Sequence, residues 1–348
     1  MLNEKLKKLL VVGLAIILFL GVFLGVAYSY NSREVVGRVA NSKIRKNEFM
    51  FVLKTVRNTL EQSTLRADAT KEDREKFWNS IFEGKTATEK AEDIALDEIK
   101  KLKIQEIKAK EKNITLTKEE KDKNKREIDE MVEKLGGRAN AEEKILRVYG
   151  ISINTYKKIR EEMKVVEKYM DETKKGIEIT EQDLIDFYND KYENDEVVTV
   201  RHILISTVDK EQKEVTEEVI KEKSDLAYSI LDKINNGENF EELLKEYTED
   251  TSTKDELGQY TLRKGQMTPE FENWAFENKP GSTGVVKTEY GFHVMVKPTF
   301  DELKEQIKDK TLEKKYNDTL DELGELPEYD LIINEKGLQH VRNLILEQ

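Results

Sequence analysis

The stretch from Leu9 to Tyr28 is apolar throughout and carries no charged residue. As a helix rising 1.5 Å per residue it would be about 30 Å long, the thickness of a bilayer's hydrocarbon core. A soluble core rarely needs such a helix. Lys5, Lys7 and Lys8 stand before it, and the bias of positive charge toward the cytoplasm predicts an N-terminus inside, with everything after Tyr30 outside. Tyr28 and Tyr30 then fall where aromatic residues favour the membrane interface. A cleaved signal peptide is the competing reading, since Gly25-Val26-Ala27 has the small-x-small pattern of a cleavage site. Secretory apolar regions are shorter, about 7–15 residues. Gly21 and Gly25 are spaced to pack two such helices in a homodimer, though small residues are also common in any apolar span.

The totals exclude several chemistries. Cysteine is absent from the 348 residues, which removes disulfides, thiol catalysis, thiolate metal sites and a lipid-modified cysteine. Charged residues make up 37% and the net charge is −12, with Lys and Arg interleaved among Asp and Glu. Interleaving predicts long solvated helices, whereas disorder favours unbalanced charge. An acidic chain without a basic cluster beyond its first residues predicts no nucleic-acid partner.

Four segments follow from the texture: an anchor over 1–30, a helical part over 31–195, a mixed α/β part over 196–298 and a second helical part over 299–348. In the first helical part, Val35–Val39 reads as a short strand. Phe49, Val52, Leu53 and Val56 then follow the 3.6-residue period of a helix. Thr117 with Glu120 and Thr180 with Asp183 place an acid three residues after a capping hydroxyl, as does Thr299 with Glu302. The charge-dominated stretch 100–134 predicts an extended helical arm. In the mixed part, Val197–Ser206 and 284–297 predict strands, 216–235 and 240–247 predict helices, and Pro269 suits a helix start. The chain is α+β, and a helical body with an inserted α/β module is its simplest architecture.

Two of the three histidines lie in that module, each inside an apolar strand: His202 among Arg201, Ile203, Leu204 and Ile205, and His293 among Phe292, Val294 and Met295. Apolar neighbours on both sides predict central strands of a sheet. A lone buried histidine is commonly structural, but two in one small domain point toward function. His340 reads as structural.

Arg201-His202-Ile203-Leu204-Ile205 at the start of the module and Thr288-Glu289-Tyr290-Gly291-Phe292-His293-Val294 at its end resemble the parvulin family of prolyl isomerases. Between them lie Asn236-Gly237-Glu238-Asn239-Phe240, Tyr247-Thr248-Glu249-Asp250, Leu257-Gly258 and Gly265-Gln266-Met267-Thr268-Pro269-Glu270-Phe271, in family order. The outer layout is similar to the PrsA and SurA class of extracytoplasmic foldases, whose PrsA members usually carry the lipid-modified cysteine that this chain lacks. The resemblance implies a parvulin-like antiparallel sheet with surrounding helices, inserted into an α-helical SurA-like chaperone domain and preceded by one transmembrane helix. It implies peptidyl-prolyl cis–trans isomerisation without cofactor or metal, with unfolded or partly folded secreted polypeptides as partners.

By the same resemblance, His202, His293, Asp250 and Thr288 form a polar network, and Leu257, Met267 and Phe271 form a pocket for the proline ring. The family's Gly-Gly pair before Leu-Gly is replaced here by Lys254-Asp255-Glu256. Other readings stay open. Met267 and Phe271 could be plain core, and Asp250 a turn residue. The module could be an inactive holdase, and His202, His293 and Asp250 could form a metal triad.

Protease added to intact, wall-stripped cells should digest the exported part and spare the anchor. A mature N-terminus beginning at Tyr28 would instead establish cleavage.

Overall fold

The computed structural model describes residues 34–66, 68–190, 197–208, 215–251 and 257–346. The apolar run of the N-terminus and the residues 252–256 lie outside this set. Among the described residues no helix is long and apolar enough to cross a membrane.

Strand β1 (Val35–Val39) turns through Ala40 into β2 (Ser42–Arg45), its antiparallel partner. Helix α1 (Lys46–Thr64) follows at once, with Glu48 accepting the Arg45 backbone N–H at 2.7 Å. Phe49, Leu53, Val56 and Leu60 are buried along its inner face, as their spacing predicts. Next come α2 (Lys71–Asn79), the hairpin β3 (Ile81–Phe82) and β4 (Lys85–Thr86), and α3 (Ala87–Glu111).

The stretch expected to be one extended arm is instead broken. Asn113 adopts a left-handed φ of 55°, which ends α3 and lets Ile114 bury itself. The Thr117–Glu120 capping box then starts a separate helix, α4 (Lys118–Lys134). Helices α5 (Arg138–Tyr149) and α6 (Ile153–Lys174) complete this part.

The remaining elements begin with α7 (Glu181–Tyr188), opened by the Thr180–Asp183 box. Strand β5 (Val197–Ser206), helix α8 (Glu217–Asn235), helix α9 (Phe240–Tyr247) and strand β6 (Gln259–Arg263) follow. Helix α10 (Pro269–Glu277), strands β7 (Thr283–Thr288) and β8 (Gly291–Val296), and helix α11 (Phe300–Gly324) come next. The chain ends in β9 (Leu331–Ile333) and α12 (Glu335–Leu346).

Two compact units result: the described residues up to Ile177 with those from Lys315 onward, and Glu178–Lys314. In the first, β9 returns from the far end of the sequence to pair antiparallel with β1, giving the order β2-β1-β9. The second unit is therefore an insertion in sequence. Its limits reach beyond 196 and 298 because Leu184 and Tyr188 of α7 pack with Leu303 and Ile307 of α11.

The second unit is built on the antiparallel sheet β6-β5-β8-β7. Alternation along the strands divides its side chains between two faces. On one face Ile203, Ile205, Phe292 and Val294 pack against Ala227 and Ile230 of α8 and Leu243 and Leu244 of α9. On the other, Val198, Val200, Leu262, Val286 and Met295 pack against Phe271 and Ala275 of α10. Each large apolar side chain buried this way contributes about 1.5–3 kcal/mol. Gly291 is at φ 141°, where a Cβ would stand 2.2 Å from the Ile205 carbonyl oxygen. Only glycine fits, so β8 can lie against β5 in the register that sets the site.

Candidate active site

Strands β5 and β8 are the two central strands. Their register places Leu204 opposite His293 and His202 opposite Met295. Cross-strand partners share a face, so both histidines point to the α10 side as diagonal neighbours. Their Nδ1 atoms are 3.0 Å apart and their rings nearly parallel, 5.2 Å between centroids. His202 is 2% exposed and His293 6%.

The contact extends at both ends. His202 Nε2 lies 3.1 Å from Asp250 Oδ2, and His293 Nε2 lies 2.8 Å from Thr288 Oγ1. Thr288 Oγ1 also accepts the Tyr290 backbone N–H at 3.1 Å. Four side chains from β5, β7, β8 and the segment after α9 thus form one line, buried except at its Asp250 end. Asp250 is held by its neighbours: the Glu249 N–H donates to the Leu204 carbonyl at 2.8 Å, and Glu249 Oε2 accepts the Ser206 N–H at 2.6 Å. Thr248 Oγ1 accepts from both the Leu204 and Asp250 backbone N–H groups at 3.3 Å.

Hydrogen placement along the line is constrained. A carboxylate only accepts, so His202 Nε2 carries a hydrogen. Burial, reinforced by the neighbouring His202, pushes the His293 imidazole down to about 3, so His293 is neutral and carries one N–H. With His202 neutral, Thr288 donates to His293, His293 Nδ1 to His202 Nδ1, and His202 Nε2 to Asp250.

The wall beside this line is apolar. Phe271 is 1% exposed and meets both histidines edge-on, 5.5 Å from His202 and 5.2 Å from His293. Half-buried Met267 packs in the same cluster. Leu257 is half-buried outside that cluster, at a left-handed φ of 58°. It adjoins the site through Gly258, whose carbonyl accepts the His202 N–H at 2.8 Å. The metal-triad alternative would require three side chains turned to one point. Instead His202 lies between the other two, bonded to His293 on one side and Asp250 on the other. Tyr260 escaped the sequence reading. Its hydroxyl donates to Asp250 Oδ2 at 3.3 Å, and its ring lies 5.2 Å from His202. Alternation in β6 was the available clue, because Tyr260 pairs with Val200 on the site face. His340 lies in the first unit and bonds Glu34 at 2.7 Å.

The family model of the PPIC-type PPIase domain matches residues 182–298. The foldase protein PrsA of Caldanaerobacter subterraneus subsp. tengcongensis is 31% identical over 320 residues, covering 88% of this chain and 87% of that protein. The chain belongs to the PrsA foldase family. The PrsA foldase of Bacillus subtilis is 32% identical over 152 residues, covering 42% of this chain and 45% of that protein. The crystal structure of PrsA from Bacillus subtilis aligns over 90% of this chain and 93% of that one at 21% identity, with a TM-score of 0.30. This PrsA-family chain is a parvulin-type peptidyl-prolyl cis–trans isomerase and foldase. An inactive holdase is not the reading these relatives favour.

Rotation about the prolyl bond meets a barrier of ~18–20 kcal/mol, set by amide resonance. No bond to the enzyme is needed. A site that holds the twisted amide better than the planar one by ~4 kcal/mol accelerates exchange about a thousandfold. An apolar floor beside a fixed polar line is suited to that task, because polar groups held in place act more strongly where water is excluded.

The depressed His293 pKa has a consequence for stability. Between about pH 6.5 and 3 the unfolded chain binds a proton at this residue and the folded chain does not, so stability falls as pH drops through that window. Above it the contribution is constant. With Trp78 replaced by Phe, Trp274 fluorescence reports unfolding of the second unit. From pH 7 to 5 the parent should lose ~2 kcal/mol more than a His293→Gln variant. Equal losses would mean that His293 already takes up its proton in the folded state.

Proposed function

We propose that this isomerase acts on proline bonds of unfolded secreted polypeptides outside the cytoplasmic membrane, with Leu9–Tyr28 as its anchor. His202, His293, Thr288 and Asp250 form the polar wall beside the rotating bond. Met267 and Phe271 grip the proline ring, and Leu257 lines the rim of the pocket. The observation that carries this reading is the unbroken hydrogen-bond line from Thr288 to Asp250 standing over the Phe271 ring. Asp250 retains 13% exposure, enough to meet a bound amide.

The helical unit serves as a SurA-like chaperone body in this reading, and the Gly21/Gly25 spacing would allow a homodimer of anchors. Support for the body comes from the sequence layout, a discontinuous helical unit whose two segments are joined by the β1–β9 pairing, with the isomerase inserted between them in sequence.

Exchange of a short proline peptide, followed by NMR, tests the site. Met267→Ala should lower kcat/KM about tenfold or more while costing less than the ~2–5 kcal/mol expected of a fully buried methionine, because Met267 is only half-buried. Asp250→Ala should lose rate with the fold intact. Phe271→Ala discriminates poorly, since a fully buried Phe costs ~3–5 kcal/mol on truncation. If the folded parent chain gives no acceleration above background, the proposed site is wrong.

A further inference from the structure

We propose that Tyr260 is a positioning residue for isomerisation, its hydroxyl fixing the Asp250 carboxylate that closes the polar line. The proposal rests on Asp250 acting in the site as read above.

Among the described residues, Asp250 Oδ2 accepts from His202 Nε2 at 3.1 Å and from Tyr260 Oη at 3.3 Å. The donors come from adjacent strands, β5 and β6, which are paired through Val200 and Tyr260. A carboxylate held by one bond can still swing about it. Two donors from different strands on one oxygen restrict that motion, and the second donor lies on β6, a strand that carries neither histidine. The Tyr260 ring is held in turn: it leans on His202 at 5.2 Å and stands perpendicular to Phe271 at 6.3 Å. One side chain thus connects the acid, the first histidine and the apolar floor. A phenylalanine would keep the ring contacts and lose only the donor.

Isomerisation forms no covalent bond, so its rate depends on how well fixed charges and dipoles match the twisted amide. A charge free to turn toward solvent matches it less well. The hydroxyl also favours the ionised acid, as any donor to a carboxylate does. Among the described residues, the titratable groups facing Asp250 are His202 from β5 and Tyr260 from β6, with His293 from β8 behind His202, and α10 turns the uncharged Phe271 toward His202.

The test compares the parent chain with Tyr260→Phe and Asp250→Ala, measuring peptide exchange by NMR from pH 4.5 to 8 alongside thermal unfolding. Tyr260→Phe should unfold at the parental temperature and lose rate at every pH. The loss should appear equally in kcat and kcat/KM, by about threefold, because the ring contacts that hold substrate remain. A merely structural role would not produce that equal loss with the fold intact. A Tyr260→Phe profile superimposed on the parent's overturns the inference while Asp250→Ala still loses rate. Parental activity in Asp250→Ala overturns the inference together with the site reading beneath it.

Discussion

The 3.0 Å contact between His202 Nδ1 and His293 Nδ1 is the constraint around which the second unit is arranged. Two imidazoles can meet in this way only on adjacent strands, on one face, in one register. A slip by one residue would send one ring to the α8–α9 side, where it would be buried among Ile203, Val294 and Leu244 without a partner. Gly291 protects that register, since any side chain there would push β8 off the Ile205 carbonyl. Burial then makes the contact costly to leave unmade, because an unpaired polar group in the core costs about 1–3 kcal/mol.

Catalysis asks for two properties that folding opposes. In the proposed function the polar line must be dry enough to act strongly on an amide, yet it must end at solvent so that a peptide can reach it. The unit resolves this along one direction. Thr288 and His293 lie deep, and Asp250 lies at the exposed end, held by Thr248 and Glu249 along β5. The neutral His293 avoids burying a charge at the deep end of the line, where the cost of burial outweighs the attraction of Asp250. Phe271 makes the floor rigid, and half-buried Met267 leaves an adaptable edge.

Much of this was legible in the sequence, for physical reasons that vary by element. Central strands are covered on both faces, so His202 and His293 stood out against continuous apolar runs. Capping boxes announced α4 and α7 because the reciprocal bonds need only three residues of local sequence. Other features depend on contacts distant in sequence. The strand β9 has three residues and exists because β1 offers an edge. The break in the charged stretch follows from one left-handed Asn113 and the burial of Ile114, and neither leaves a periodic trace. Tyr260 reaches Asp250 only through the β5–β6 register, and Leu257 was placed by resemblance alone while its side chain packs outside the Phe271 cluster.

The central claim is that the two buried imidazoles are directly hydrogen-bonded. In a chain labelled with nitrogen-15 at histidine, an N–H···N bond transmits a scalar coupling between the two ring nitrogens it joins. The structure predicts a resolved coupling between His202 Nδ1 and His293 Nδ1, with the bridging hydrogen slow to exchange because both rings are buried. Absence of that coupling in the folded chain, with both ring hydrogens exchanging rapidly with water, would contradict it.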